Sequence, residues 1–222
     1  MFCKIAHRYD LLNHLLSLNV DRIWRSRLVG AACVPEGGRV LDACAGTGDV
    51  AMAFARCAVA REVVAVDLSR EMLRIGRAKA RRANIEGGVR FVEGDVLFLP
   101  FRERSFDVVT IAFGLRNLAS YEKGLSEMSR VLVRGGRIAI LEFAPSPRGF
   151  FASVYAFYLR KAIPRIGGLV SGSKAAYDYL ASSVGEFPSV ERVLALMAGA
   201  GLRNLSAESL TGGIVYIYRG EK

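Results

Sequence analysis

Apolar positions recur at intervals near 3.6 residues from the N-terminus to about Val34, with Ile5, Leu12, Leu15, Leu16, Trp24 and Leu28 on the apolar side, so the chain opens with helices. Pro35, Gly37 and Gly38 end that pattern, and the period then changes. Short apolar runs at Arg39 to Cys44, Glu62 to Asp67, Val89 to Glu93, Phe106 to Phe113 and Arg137 to Phe143 read as buried strands. Helical patterns lie between them at about Asp49 to Val59, Arg70 to Asn84 and Ser120 to Val133. Three more follow at about Gly149 to Ile163, Lys174 to Val184 and Ser189 to Ala200, broken by Pro164, Gly167, Gly168 and Pro188. Two final strand-like runs, Arg203 to Leu210 and Gly213 to Tyr218, are separated only by Thr211 and Gly212 and predict a hairpin at the sheet edge. The alternation predicts an α/β fold: a doubly wound, mostly parallel seven-stranded sheet with one antiparallel edge strand.

Composition narrows this picture. The chain has 222 residues, which one domain fills, and its 52% hydrophobic content excludes a disordered or low-complexity chain. Net charge is +10, so an anionic partner, either nucleic acid or a membrane surface, has to be weighed. Cys3, Cys33, Cys44 and Cys57 form no C-x-x-C pair and, with only His7 and His14 beside them, no zinc pattern, so no metal is expected. Reduced thiols, no transmembrane run and charges inside MFCKIAHRYD point to a cytoplasmic protein without a secretory signal.

The strongest local chemistry is VLDACAGTGDVA, where a strand ends near Asp42 and the turn Gly46-Thr47-Gly48 opens a helix. Glycine allows close backbone approach and positive φ, and a helix start offers N–H groups to a ligand. The same run satisfies the dinucleotide fingerprint G-x-G-x-x-A, with Asp67 19 positions past Gly48. Acidic residues decide against a dinucleotide. Asp42 before the turn and Asp49 after it would repel a pyrophosphate but suit S-adenosylmethionine, which is cationic and has no phosphate. Asp67 ends the second strand, where a carboxylate accepts ribose hydroxyls, and Asp95 follows the third, placed for the adenine amino group. Singly, each aspartate reads as a helix cap or a solvated loop end.

These residues resemble the class I methyltransferases, and within them the UbiE/MenG type that C-methylates ubiquinone and menaquinone precursors. The likeness runs through Phe2, Ile5-Ala6, Tyr9-Asp10, Asn13 and Trp24-Arg25, then AGTGD at Ala45 to Asp49 and FGLRN at Phe113 to Asn117. It continues through LEF at Leu141 to Phe143, Tyr179-Leu180, Phe187-Pro188 and LTGGIV at Leu210 to Val215. The resemblance implies that Thr47, Asp67, Asp95 and Val96 contact S-adenosylmethionine with the backbone of Gly46 and Gly48. Ala112 stands where other members carry serine, so any contact there comes from backbone. It further implies that Arg116 and Asn117 line the substrate side, with Asp49 and Tyr9 nearby. Those types suit the chemistry: a ring carbon beside a hydroquinone hydroxyl becomes nucleophilic once that hydroxyl ionises, and an arginine stabilises the phenolate. Asn117 orients the same oxygen, and Asp49, or a water held by Asp49 and Tyr9, removes the ring proton afterwards. Residues 1–222 then form a single domain: N-terminal helices (1–34), cofactor-binding core (35–145), a helical lid on the substrate side (146–200) and the edge hairpin (201–222).

A prenylated quinol must be taken from a membrane or carrier. From Phe143 to Tyr177 the chain has no acidic residue and combines Arg148, Arg160, Lys161, Arg165 and Lys174 with Phe150, Phe151, Tyr155, Phe157 and Tyr158, so the segment 148–174 reads as a peripheral contact with the inner membrane face. Core cover or a homodimer interface is the plainer use of the same helix. Methylation of another small-molecule acceptor, such as a phenol oxygen, a sterol-like carbon or a small amine, is the alternative within enzymes. RNA methylation would suit the charge, but there is no separate RNA-binding module and FGLRN stands where amino-group methylases carry N/D-P-P-Y, so no nucleic acid is expected.

Overall fold

A computed structural model describes residues 17, 19–57, 59–145 and 182–222. The expected helices over residues 1–16 and Gly149 to Ile163, and most of the one from Lys174, lie outside the described residues. Helix α1 (Val20–Ala31) precedes β1 (Arg39–Ala43), α2 (Asp49–Arg56), β2 (Glu62–Asp67), α3 (Arg70–Arg82) and β3 (Val89–Glu93). Then come β4 (Phe106–Ala112), α4 (Tyr121–Val131), β5 (Leu132–Phe143), α5 (Val190–Gly199), β6 (Arg203–Leu210) and β7 (Val215–Glu221).

The seven strands make one sheet in the order β3-β2-β1-β4-β5-β7-β6. Strands β1 to β5 pair in parallel, whereas β7 runs antiparallel to both β5 and β6, so the hairpin closes one edge of the sheet with its antiparallel strand on the inner side. The chain winds outward from β1 to β3, then returns to place β4 on the other side of β1. This reversal between β1 and β4 opens a crevice at the carboxyl ends of the strands.

Both sheet faces are covered, which is why the parallel strands are apolar on alternate and intervening positions alike. On one face Leu28 of α1, Phe54 of α2 and Leu73 of α3 pack on Val40, Ala65 and Val108. On the other, Met128 of α4 and Met197 of α5 pack on Leu41, Val109 and Ile138. Serines start three of the helices: Ser69, Ser120 and Ser189 accept from the backbone N–H of Met72, Lys123 and Arg192 at 3.2–3.3 Å.

Boundaries deviate where glycine or a long-range bond intervenes. Strand β5 starts at Leu132 rather than Arg137, because Leu132 pairs with Phe106 and the following Gly135, at φ 73°, lets the chain rejoin the ladder. Helix α2 stops at Arg56, short of Val59, whose carbonyl is drawn away to accept from Gly37 N–H at 2.9 Å. Strand β7 begins after the turn Thr211–Gly213 and continues through the polar Arg219 and Glu221, pairing with β5 and β6 at once.

One helix crossing touches the glycine turn directly. A Cβ at Gly76, mid-α3, would come within 2.6 Å of Phe91 Cε1 and 3.0 Å of the Thr47 carbonyl. Alanine in a helix interior normally stabilises by about 1 kcal/mol over glycine. Here overpacking dominates, and Gly76→Ala should destabilise by about 1–2 kcal/mol in urea titration. Adding Phe91→Leu should return part of that loss, and a variant as stable as wild type would refute the contact.

Candidate active site

The chain leaves β1 in mid-sheet and must enter α2 within five residues. Cys44, Gly46 and Gly48 take left-handed φ of 51°, 57° and 81°, making a turn held by Ala45 N–H on the Val66 carbonyl and Gly48 N–H on the Ala45 carbonyl. The two glycines serve different purposes. A Cβ at Gly46 would meet nothing within 4 Å, so that side of the loop is open, whereas one at Gly48 would come within 2.7 Å of Phe91. Gly46 therefore offers bare backbone toward the crevice and Gly48 clears the underlying ring.

Four carboxylates converge on this turn. Together with burial, Asp67, Asp42, Asp95 and Glu142 raise the pKa of the Cys44 thiol, so all lie within electrostatic reach of one point. Asp67 accepts from Gly46 N–H at 2.7 Å and Ser69 N–H at 2.8 Å, and burial, partly opposed by these bonds, raises its pKa. Each carboxylate oxygen has a second lone pair, so Asp67 can still accept ribose hydroxyls. Asp95 accepts from Leu97 N–H at 2.9 Å and starts a short 3-10 turn, Val96–Phe98. Within it the Val96 side chain is buried in the core, so only its backbone can serve a ligand. Ala112 ends β4 half-buried at the same crevice.

Asp42 lies beneath the turn rather than in the crevice. It is 1% exposed, accepting from Thr110 Oγ1 at 2.9 Å and Ala51 N–H at 3.1 Å. Burial pushes its pKa up to about 7, against those two bonds and the nearby Arg25. Thr47 is likewise buried, its hydroxyl accepting from Lys79 Nζ at 3.0 Å.

In the short turn after β4, Arg116 is anchored on one side. Its Nη1 donates to Glu142 Oε1 at 2.6 Å and to the Phe113 carbonyl at 2.7 Å, with the arginine side chain 6% exposed and that of Glu142 fully buried. Asn117 is exposed, and its amide reaches the same carbonyl at 3.3 Å. Asp49 is held by two cations: Arg25 Nη1 at 2.5 Å on Oδ2, and Lys79 on Oδ1. Tyr9 lies outside the described residues.

Aromatic packing joins these parts. Trp24 meets Phe113 at 6.1 Å and Phe143 at 6.0 Å between ring centroids, and Phe113 and Phe143 lie 4.8 Å apart. Trp24 Nε1 donates to Thr211 Oγ1 at 2.8 Å, while Arg25 and Arg116 stand over the Phe113 and Phe143 rings. Trp24-Arg25, FGLRN, LEF and LTGG, far apart in sequence, thus form one wall beside the glycine turn.

Four further residues have parts that sequence reasoning did not assign. Glu142 holds Arg116, Arg25 and Lys79 hold Asp49, and Leu68, 72% exposed directly after Asp67, offers an apolar surface. An acidic residue inside the apolar run Ile138 to Phe143 was a readable signal for a buried pair. The partners of Arg25 and Lys79 were not, because long side chains choose neighbours only once helices pack. Among the described residues no group of histidine, cysteine and carboxylate side chains could hold a metal ion.

The strand order, the glycine turn after β1 and the carboxylate ending β2 define the class I methyltransferase architecture. Solved structures agree on the fold: a SAM-dependent methyltransferase from Thermotoga maritima matches with a TM-score of 0.71 at 19% identity, covering 100% of this chain and 97% of that one. One from Aquifex aeolicus matches at 0.64 and 17%, covering 88% of each. The chain belongs to the ubiE/COQ5 methyltransferase family, whose model matches residues 1–222. It is 48% identical to a demethylmenaquinone methyltransferase of Thermus thermophilus, over 100% of both chains. It is also 46% identical to a ubiquinone/menaquinone biosynthesis C-methyltransferase UbiE of Geotalea uraniireducens, covering 100% of this chain and 94% of that one.

Two measurements check this geometry. An aspartate with folded pKa about 7 and ordinary value 3.8 keeps its proton in the native state while the unfolded chain has lost it, so its contribution falls as pH rises from about 4 to 7. At roughly 1.4 kcal/mol per unit the fall approaches about 4 kcal/mol. Asp42→Asn, whose Oδ1 can accept from Ala51 N–H while its Nδ2 donates to Thr110 Oγ1, should lack this fall, so the stability difference between the two proteins should change across that window; a constant difference would refute the assignment. Glu142→Ala, which strands Arg116, should cost about 3–5 kcal/mol in urea unfolding, and Glu142→Gln less.

Proposed function

We propose that this methyltransferase uses S-adenosylmethionine to methylate a ring carbon of a prenylated quinol, with reduced demethylmenaquinone as acceptor. The observation that carries this reading is the wall of Trp24, Phe113, Arg116, Glu142 and Phe143 beside the glycine turn, built from the motifs by which the chain resembles its quinone-methylating relatives. The benzoquinol equivalent is the second reading, favoured by relatives named for both pathways.

The crevice fits the cofactor. Asp67 and Asp95 place negative charge at two strand ends, Gly46 leaves its backbone bare, and Leu68 presents an apolar face beside Asp67. Bound there, S-adenosylmethionine supplies an electrophilic methyl group on a positive sulfur. No part of this scheme requires a metal.

The chain's own residues prepare the acceptor. Arg116, its guanidinium plane fixed by Glu142 and Phe113, hydrogen-bonds the ionised hydroxyl of the quinol and keeps it anionic. Asn117, on the exposed side of the same turn, orients that oxygen. Asp49 takes the proton that leaves the ring carbon, directly or through a water shared with Tyr9, while Arg25 and Lys79 fix its position. The aromatic wall excludes water from the face where the quinol lies. Segment 148–174, outside the described residues, is proposed to take the prenylated substrate from a membrane surface.

Arg116→Ala would leave Glu142 buried without its cation, so the informative variants are Arg116→Lys and the pair Arg116→Ala with Glu142→Gln. Both should lose methyl transfer by about 100-fold or more while binding of S-adenosylhomocysteine by calorimetry survives. Near-normal turnover would end the assignment of Arg116. Labelled methyl should pass to reduced demethylmenaquinone and, if the second reading holds, to a demethylated ubiquinol precursor. Label in neither would refute the substrate class.

A further inference from the structure

On the outer side of α2, away from the sheet, α1, α2 and α3 line a half-open cavity of about 660 Å³. Among the described residues five cations line it, Arg22 and Arg25 from α1, Arg56 from α2, Lys79 and Arg82 from α3, against a single carboxylate, Asp49. Asp49 is engaged by Arg25 and Lys79. No side-chain carboxylate among the described residues pairs with Arg22, Arg56 or Arg82.

Helix ends account for part of this. Arg56 and Arg82 occupy the last turns of α2 and α3, where the helix dipole favours positive charge. Arg22 is different: it lies in the first turn of α1, where the dipole opposes a cation, and it lines the same cavity. Like charges gathered around one cavity repel one another unless an anion sits among them. The floor is apolar, formed by Val29, Met52 and Ala53, and Ser26 adds a hydroxyl at the rim.

We propose that this cavity binds a phosphate group, held by Arg22, Arg56 and Arg82 and backed by Arg25 and Lys79. A guanidinium matches two phosphate oxygens in a bidentate fork, and three arginines on separate helices surround the group from three sides. The apolar floor suits a phosphate carried on an amphiphile, although the phosphate chemistry is shared by a free ion. The cavity differs in sign from the cofactor crevice, whose carboxylates repel phosphate. The two are coupled through Arg25 and Lys79, because an anion in the cavity competes with Asp49 for both.

The site is tested on the full chain by isothermal titration with inorganic pyrophosphate at low and at physiological salt. Saturable binding that weakens with salt is expected, and Arg56→Gln with Arg82→Gln should weaken it about tenfold or more. Arg22→Gln, on a different helix, should weaken it independently, and thermal unfolding checks that each variant is folded. The pair Arg102→Gln and Arg134→Gln, exposed and outside the cavity, should leave binding unchanged. Displacement of pyrophosphate by phosphatidylglycerol vesicles but not neutral ones assigns the phosphate to a lipid headgroup; displacement by neither assigns it to a small soluble ligand. Absence of pyrophosphate binding, or binding equally strong in the cavity variants, would overturn the proposal. None of these readouts involves methyl transfer, so they stand apart from the assigned reaction.

Discussion

Negative charge is gathered at the carboxyl ends of parallel strands, and the way it is stabilised governs the arrangement around it. Three of the four carboxylates there rest on backbone or hydroxyl donors: Asp42 on Ala51 N–H and Thr110, Asp67 on Gly46 and Ser69 N–H, Asp95 on Leu97 N–H. Each such bond fixes a loop, so one set of contacts shapes the turn, starts α2 and α3, and sets the crevice wall. Donated hydrogen bonds, unlike a paired cation, do not cancel the charge of the carboxylate they hold, so the crevice keeps a negative potential, to which Asp42, protonated beneath the turn, adds nothing. Only Glu142, the most deeply buried of the four, receives a guanidinium.

That exception lies where the second half of the site begins. Arg116 comes from the short turn after β4 and Glu142 from the end of β5, two adjacent strands, so their pairing locks the FGLRN turn onto the sheet. The aromatic wall continues the same task from the other side. Phe113, at φ 57° in a conformation that few bulky residues adopt, is pressed between Trp24 and Phe143, and its carbonyl accepts from both Arg116 and Asn117. The strained backbone is held by packing, and the polar groups follow from it.

Much of this was legible before any coordinates. Strands β2, β3 and β6 agree with their apolar runs to the residue, because both ends of each are marked by a charged or turn-forming residue. The glycine turn and its aspartates were legible too, since glycine conformation and strand-end acidity are local properties. Burial depth was not. Asp42 and Asp67 look alike in sequence, yet one is sealed under the turn and the other stands beside it, a difference set by how α2 and β4 close over β1. The engagement of Asp49 by Arg25 and Lys79 was equally hidden, because those residues come from helices 24 and 30 positions away in the chain.

The bond from Trp24 to Thr211 spans 187 residues, and the strand that follows Thr211 is inserted between β5 and β6 rather than added outside them. On a ribosome the segments that form β1 to β5 emerge first, yet β5 has only one partner strand until β7 arrives. The aromatic wall also lacks its hydroxyl anchor until then. Until β7 is made a nascent chain therefore carries a half-built pocket and a β5 paired on one side only, and both are completed together by that one strand. Acquisition of the site and completion of the sheet's interior at β5 are thus a single event in the life of the molecule.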